Sequence, residues 1–138
     1  NIMPLIFDSE FFRFCESQDY NGCRRLLENP ITVISQGALQ SGFEFACEKG
    51  NADLAEMIYD ESLEYIDLTK DDDYIFMRAC SKNRCDVADM LESLLPDRYK
   101  VYYDDGLDSI VDWEVFEEEY EEEEYNSVMC IEQIGISV

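Results

Sequence analysis

Thirty-three carboxylates, six cysteines and no histidine are the side chains from which this chain could build chemistry. Without histidine it lacks the usual proton shuttle near neutral pH. The cysteines, at 15, 23, 47, 80, 85 and 130, do not fall into two closely spaced ligand pairs, so a structural zinc site is not expected. There is no Gly-x-x-x-x-Gly-Lys phosphate loop and no Gly-x-Ser-x-Gly nucleophile turn. A calcium loop with Gly106 at its sixth position fails, because Val101 and Tyr103 stand where the first and third carboxylates belong. Asp71-Asp72-Asp73 could bind a cation weakly, but a solvated turn tip is the simpler reading. Among so many acids some pairs fall close by chance, so spacing alone identifies no carboxylate dyad. The expectation is a non-enzyme with no metal and no cofactor, and the chemistry that remains is recognition.

Recognition needs a scaffold, and the scaffold is written as a repeat. Phe11-Phe12-Arg13-Phe14-Cys15, Phe43-Glu44-Phe45-Ala46-Cys47 and Phe76-Met77-Arg78-Ala79-Cys80 align at steps of 32 and 33 residues. A period near 33 belongs to units of two helices and a turn. Leu54, Ala55, Met57 and Ile58 recur 33 residues on as Val87, Ala88, Met90 and Leu91, one apolar helix face copied position for position. Gly50 is placed to end its helix in the left-handed conformation, Asn83 takes the same role in the next unit, and Asn51 or Asp53 can cap the helix that follows. Ser41 and Glu44 have the spacing of a capping box that would open the second unit, with Gly37 turning the connection before it. In the first unit, aromatics lie almost all round a short helix, which must be well covered. Its second helix spans Asn21 to Glu28 and stops before Pro30. There Leu26-Leu27 sits one place later relative to its cysteine than Met57-Ile58 does, for which an extra residue in the turn is the simplest account.

The 138 residues imply one domain, and 46% hydrophobic with 13% aromatic content implies a folded one. Cys15, Cys47 and Cys80 share one repeat position, where a small apolar side chain packs between helices; cysteines used this way fit a reducing, intracellular and cytoplasmic setting. No window approaches a membrane span, and no basic region followed by an apolar stretch opens the chain, so no membrane association is expected. The start at Asn1, with Met3 close behind, leaves open whether the natural chain begins at Met3 or further upstream. A net charge of −23 would repel a nucleic-acid backbone, whereas a basic partner is readily imagined. Solubility alone also accounts for that charge.

Residues 1–10 form an apolar lead-in expected to cover the first repeat, and the repeat region extends to residue 96 in units near 8–30, 41–60 and 74–96. Tyr99 to Tyr103 and Ile110 to Phe116 then read as two strands around an Asp-Gly turn, a C-terminal β-hairpin cap over residues 97–116. A helix over Asp108 to Glu124 is the competing reading, since Ile110, Trp113, Phe116 and Tyr120 also fall near helical spacing. From Glu117 to Glu124 seven of eight residues are glutamate, a run that becomes a solvated helix or an acidic tail. The apolar end from Tyr125 to Val138 suggests a docked strand or a cut through a longer chain.

Ala46-Cys47-Glu48-Lys49-Gly50-Asn51 followed by Leu54-Ala55-Glu56-Met57-Ile58 resembles the ankyrin repeat. More narrowly, the Phe-x-x-Ala-Cys opening, the Asp-Leu-Ala or Asp-Val-Ala second helix and the closing Asp97-Arg98-Tyr99-Lys100-Val101 with Asp112-Trp113-Glu114-Val115 resemble the divergent ankyrin-repeat proteins of giant DNA viruses of amoebae. The likeness covers about residues 8 to 116. It departs from the family in lacking the Thr-Pro-Leu-His opening, and the first unit has Phe14 and Gln18 in place of the small residue and the glycine. The resemblance implies a mainly α, ankyrin-type helix-turn-helix solenoid of about three repeats. It also implies a ligand on the concave side made by the first helices and turn tips. The matching positions are Arg13, Phe45 and Arg78 in one row, with Ser17, Lys49 and Lys82 one turn later. These would receive an acidic or mixed-charge peptide with Phe45 as the apolar anchor, although basic residues near helix ends also arise simply to offset dipoles or pair with acids. The expected function is non-catalytic protein binding. The alternatives are an acidic decoy that takes up basic, nucleic-acid-binding proteins through Glu117 to Glu124, and a structural component of a virion or complex.

Overall fold

Three turns of one hydrogen-bonding pattern organise the chain. In each, a helix ends on a left-handed residue, Gln18 (φ 57°), Gly50 (φ 78°) or Asn83 (φ 59°). The amide of that residue donates to the carbonyl of Cys15, Cys47 or Cys80; the next amide donates five residues back, Asp19 to Phe14, Asn51 to Ala46 and Arg84 to Ala79. Both bonds satisfy carbonyls that a helix end otherwise leaves unpaired.

The computed structural model describes residues 5–62, 65–105 and 109–117. Along them run β1 (Leu5–Ile6), α1 (Asp8–Glu16), α2 (Tyr20–Glu28), β2 (Thr32–Val33), α3 (Gln36–Glu48), α4 (Ala52–Glu61), α5 (Lys70–Ser81), α6 (Cys85–Leu94), β3 (Tyr99–Tyr103) and β4 (Ile110–Val115). The chain is thus mainly helical with a small antiparallel sheet. Helices α1, α3 and α5 pack in one row, α2, α4 and α6 in a second, and each turn joins one row to the other. Between the rows lie the fully buried rings of Phe11, Phe43 and Phe76, one per pair, with Cys15, Cys47 and Cys80 beside them. Leu54, Ala55, Met57 and Ile58 of α4 and Val87, Ala88, Met90 and Leu91 of α6 face the same core, as their apolar periodicity requires.

The first pair needs no extra turn residue. Its turn carries the same bonds as the other two, and Asp19 caps α2 by accepting from the Gly22 amide as Asn51 caps α4 by accepting from Leu54. In this register Cys23 stands where Ala55 stands, and Leu26 where Ile58 stands. Nor does the second unit open at Ser41. The side chain of Ser35 accepts from the Ala38 amide and starts α3 at Gln36, so Gly37 lies in the first turn of the helix and Ser41 in its middle. Ala38 and Leu39 are buried, and burying them makes the longer helix worthwhile. The aromatic-rich first helix is covered on one side only: Phe11 is buried, whereas Phe12 is 38% exposed.

A polar side chain just before or early in each first helix pins the following connection. Asp8 accepts from the amide and hydroxyl of Ser35; the Gln40 amide group exchanges two bonds with the backbone of Asp67; Asp73 accepts from Arg98 and Tyr99. Positions 8, 40 and 73 keep the repeat step. Asp73 is therefore no solvated turn tip. Asp71, Asp72 and Asp73 are three successive left-handed residues at the head of α5, and Asp73 is 5% exposed.

At the N-terminal end, β1 pairs in parallel with β2, Leu5 opposite Thr32 and Ile6 opposite Val33. At the other end β3 and β4 pair antiparallel from Tyr99 opposite Val115 to Tyr103 opposite Ile110, with a register shift between Tyr102 and Tyr103. Residues 110–115 are strand, which decides against the helix over that stretch. Gly106 of the Asp-Gly turn, most of the Glu117–Glu124 run and the apolar end lie outside the described residues.

Candidate functional site

Helices α3 and α5 part enough to leave a cleft of about 270 Å³. Its floor is Cys47, Ile75 and Ala79, and its sides carry Phe45 and Tyr74. All three floor residues are buried and apolar, so the floor offers little polar surface. Burial pushes the Cys47 thiol up, so it is protonated at neutral pH and acts as apolar wall rather than nucleophile.

Charge is distributed unevenly along the cleft. At one end Glu44 accepts from Lys70 (3.0 Å) and from Gln40 (2.8 Å), a balanced group. At the other, Glu48 accepts from Arg78 through Nε (3.0 Å) and Nη2 (3.0 Å). Those bonds hold the Glu48 carboxyl below its ordinary range against the effect of burial, and the charges of Arg78, Lys82 and Arg84 lower it further. Arg84 reaches this point by folding over the turn, where its Nε donates to the Glu48 carbonyl (3.2 Å).

The five residues expected to bind a partner are not all brought together. Phe45, Arg78 and Lys82 line the cleft. Lys49 stands next to it, its ammonium 5.4 Å from the centroid of the Phe45 ring. Arg13 is exposed in a separate shallow depression with Phe14, Glu16, Ser17 and Asp19. Arg78 is engaged in the cleft by its forked pair with Glu48 through Nε and Nη2. Glu44, Glu48, Tyr74 and Arg84 line the cleft and were not foreseen. Glu44 and Glu48 were within reach, since they fall four apart on the helix that carries Phe45; Arg84 was not, because its place depends on the chain folding back over Gly50.

Among the described residues no three or more acidic or cysteine side chains are grouped to hold a metal ion, and no helix is long and apolar enough to cross a membrane. Compared with protein-family models, curated proteins and solved structures, the chain finds no match.

Proposed function

We propose that this is a non-catalytic protein-binding module, an ankyrin-type solenoid of three helix pairs whose partner docks in the cleft between α3 and α5. Two repeated features support the solenoid: the turn bonds and the pinning side chains recur at the repeat step while the sequence at those places changes. The observation that carries the docking site is the cleft itself, an apolar floor between two aromatic rings with cations crowding one end. Sites of this kind gain affinity from one well-buried apolar anchor surrounded by polar groups that fix orientation. Affinity capture from source-cell lysate with the full chain and with Phe45→Ala tests it. A partner kept through high-salt washing and lost with the variant supports cleft docking; a partner kept equally by both places the contact elsewhere.

A second reading is favoured by α4 and α6, where Asp53, Glu56, Asp60, Asp86 and Asp89 are exposed and no basic residue interrupts them. On this reading α4 and α6 bind basic proteins. Their capture would be unaffected by Phe45→Ala and would fall steeply with salt.

A further inference from the structure

We infer that the cleft recognises a linear peptide with a definite direction, an apolar side chain seated over Cys47 and Ala79 and an acidic side chain at the end formed by Lys82 and Arg84. This rests on the docking site proposed above and specifies the chemistry of its occupant. In a chain with 33 acids and 10 bases, a cation is expected to find a carboxylate nearby. The ion pairs among the described residues engage Arg24, Lys70, Arg78, Arg98 and Lys100. Of the five cations that belong to none of them, Arg13, Arg25, Lys49, Lys82 and Arg84, it is Lys82 and Arg84 that line the cleft, and both stand near Glu48. Three cations therefore share one carboxylate, which leaves an excess of two positive charges at this end. At the opposite end Lys70 and Glu44 cancel.

A helix dipole explains only part of this. Lys82 is the C-terminal cap of α5, where the exposed carbonyls favour a cation. Arg84 is the N-terminal residue flanking α6, where the dipole disfavours one, and as a cap it offers no acceptor to the helix amides. Asp19 and Asn51 do accept such bonds at the equivalent position of α2 and α4. Arginine here forgoes a cap and places its guanidinium in the cleft. An incoming carboxylate would meet two cations that form no ion pair among the described residues, at the end of a cleft flanked by Phe45 and Tyr74.

Selection of a displayed library of random linear dodecapeptides against the full chain tests the inference, run in parallel on Lys82→Glu/Arg84→Glu and on Glu48→Gln. The expected result is enrichment of peptides with Asp or Glu within a few residues of one large apolar residue. The double variant should lower their affinity about tenfold or more and shift enrichment toward Lys and Arg, and Glu48→Gln should tighten them several-fold by removing the competing carboxylate. Each variant's circular dichroism and melting curve report whether it stays folded. Enriched peptides indifferent to acidic residues, or acidic peptides bound equally by the folded double variant, overturn the inference and leave cleft docking standing. Failure of any peptide to enrich removes the docking site and this inference with it.

Discussion

At the scale of single residues, backbone conformation decides more than side-chain size. Gly50 sits at φ 78°, a region that costs a residue with a side chain about 1–2 kcal/mol, and a Cβ added there would stand 3.2 Å from Cδ of Arg84. Gly50→Ala is therefore expected to destabilise the chain by about 1–2 kcal/mol in urea unfolding with an unchanged denaturant slope. Asp73 carries a larger effect. Its carboxylate takes Arg98 at 2.8 and 2.9 Å and the Tyr99 hydroxyl at 2.6 Å. Burial alone would raise its pKa, but the hydrogen bonds from Arg98 and Tyr99 and the Arg98 charge bring it below the ordinary value. A carboxyl depressed in the folded state stabilises above its unfolded pKa of about 3.9, and that stability is lost as pH falls through the folded value. The difference in unfolding free energy between the native chain and Asp73→Asn should thus be constant near neutrality and shrink below about pH 4. Arg98→Leu, which strands the buried carboxylate, should cost about 3 kcal/mol; this is the low end for a broken buried pair because Arg98 retains 30% side-chain exposure.

At the scale of elements, one fully buried side chain anchors the hairpin to the helices, with Tyr103 to Asp89 and Lys100 to Glu92 adding contacts nearer the surface. Tyr99 is fully buried, stacks on Phe76 with ring centroids 4.0 Å apart and planes 7° from parallel, and reaches Asp73 with its hydroxyl. Tyr99→Ala should cost about 4 kcal/mol. Hydrogen exchange should show the loss first in α5 and α6, because a stack of helix pairs passes stability only between neighbours. How much of this could be read from the chain follows the same division. The α4 and α6 faces, the left-handed Gly50 and Asn83 and the two strands were readable, since each depends on local periodicity or on what one residue's backbone tolerates. The start of α3, the regular first turn and the burial of Asp73 were not. Gln18 adopts the left-handed conformation against its own preference because two backbone bonds require it, and Asp73 is buried only because Arg98 and Tyr99 arrive 25 and 26 residues later. The same limit applies to the cleft: Phe45, Arg78 and Lys82 share a helical period, whereas Arg84 enters from beyond a turn.

For the molecule as a whole, electrostatics pull stability and binding in opposite directions. A net charge of −23 on 138 residues disfavours the compact state through self-repulsion, and acids such as those on α4 and α6 have few cations to offset them. Added salt shortens the screening length from about 30 Å at 0.01 M to about 3 Å at 1 M, so it weakens this long-range repulsion. Contacts within 3 Å, such as Arg98 with Asp73, are only partly exposed and are screened far less. Raising NaCl from about 20 mM to about 500 mM should accordingly raise the melting temperature by about 3–6 °C, the shift that ~1 kcal/mol produces in a domain of this size. Acidic peptides held at Lys82 and Arg84 should lose affinity over the same range, because an exposed attraction is screened just as an exposed repulsion is. Melting curves and peptide titrations on one set of buffers separate the two. A melting temperature that rises while affinity falls locates the surplus negative charge on the fold at large and the unpaired positive charge at the cleft, whereas parallel loss of both would mean that exposed ion pairs, not relief of repulsion, govern the stability of the stack.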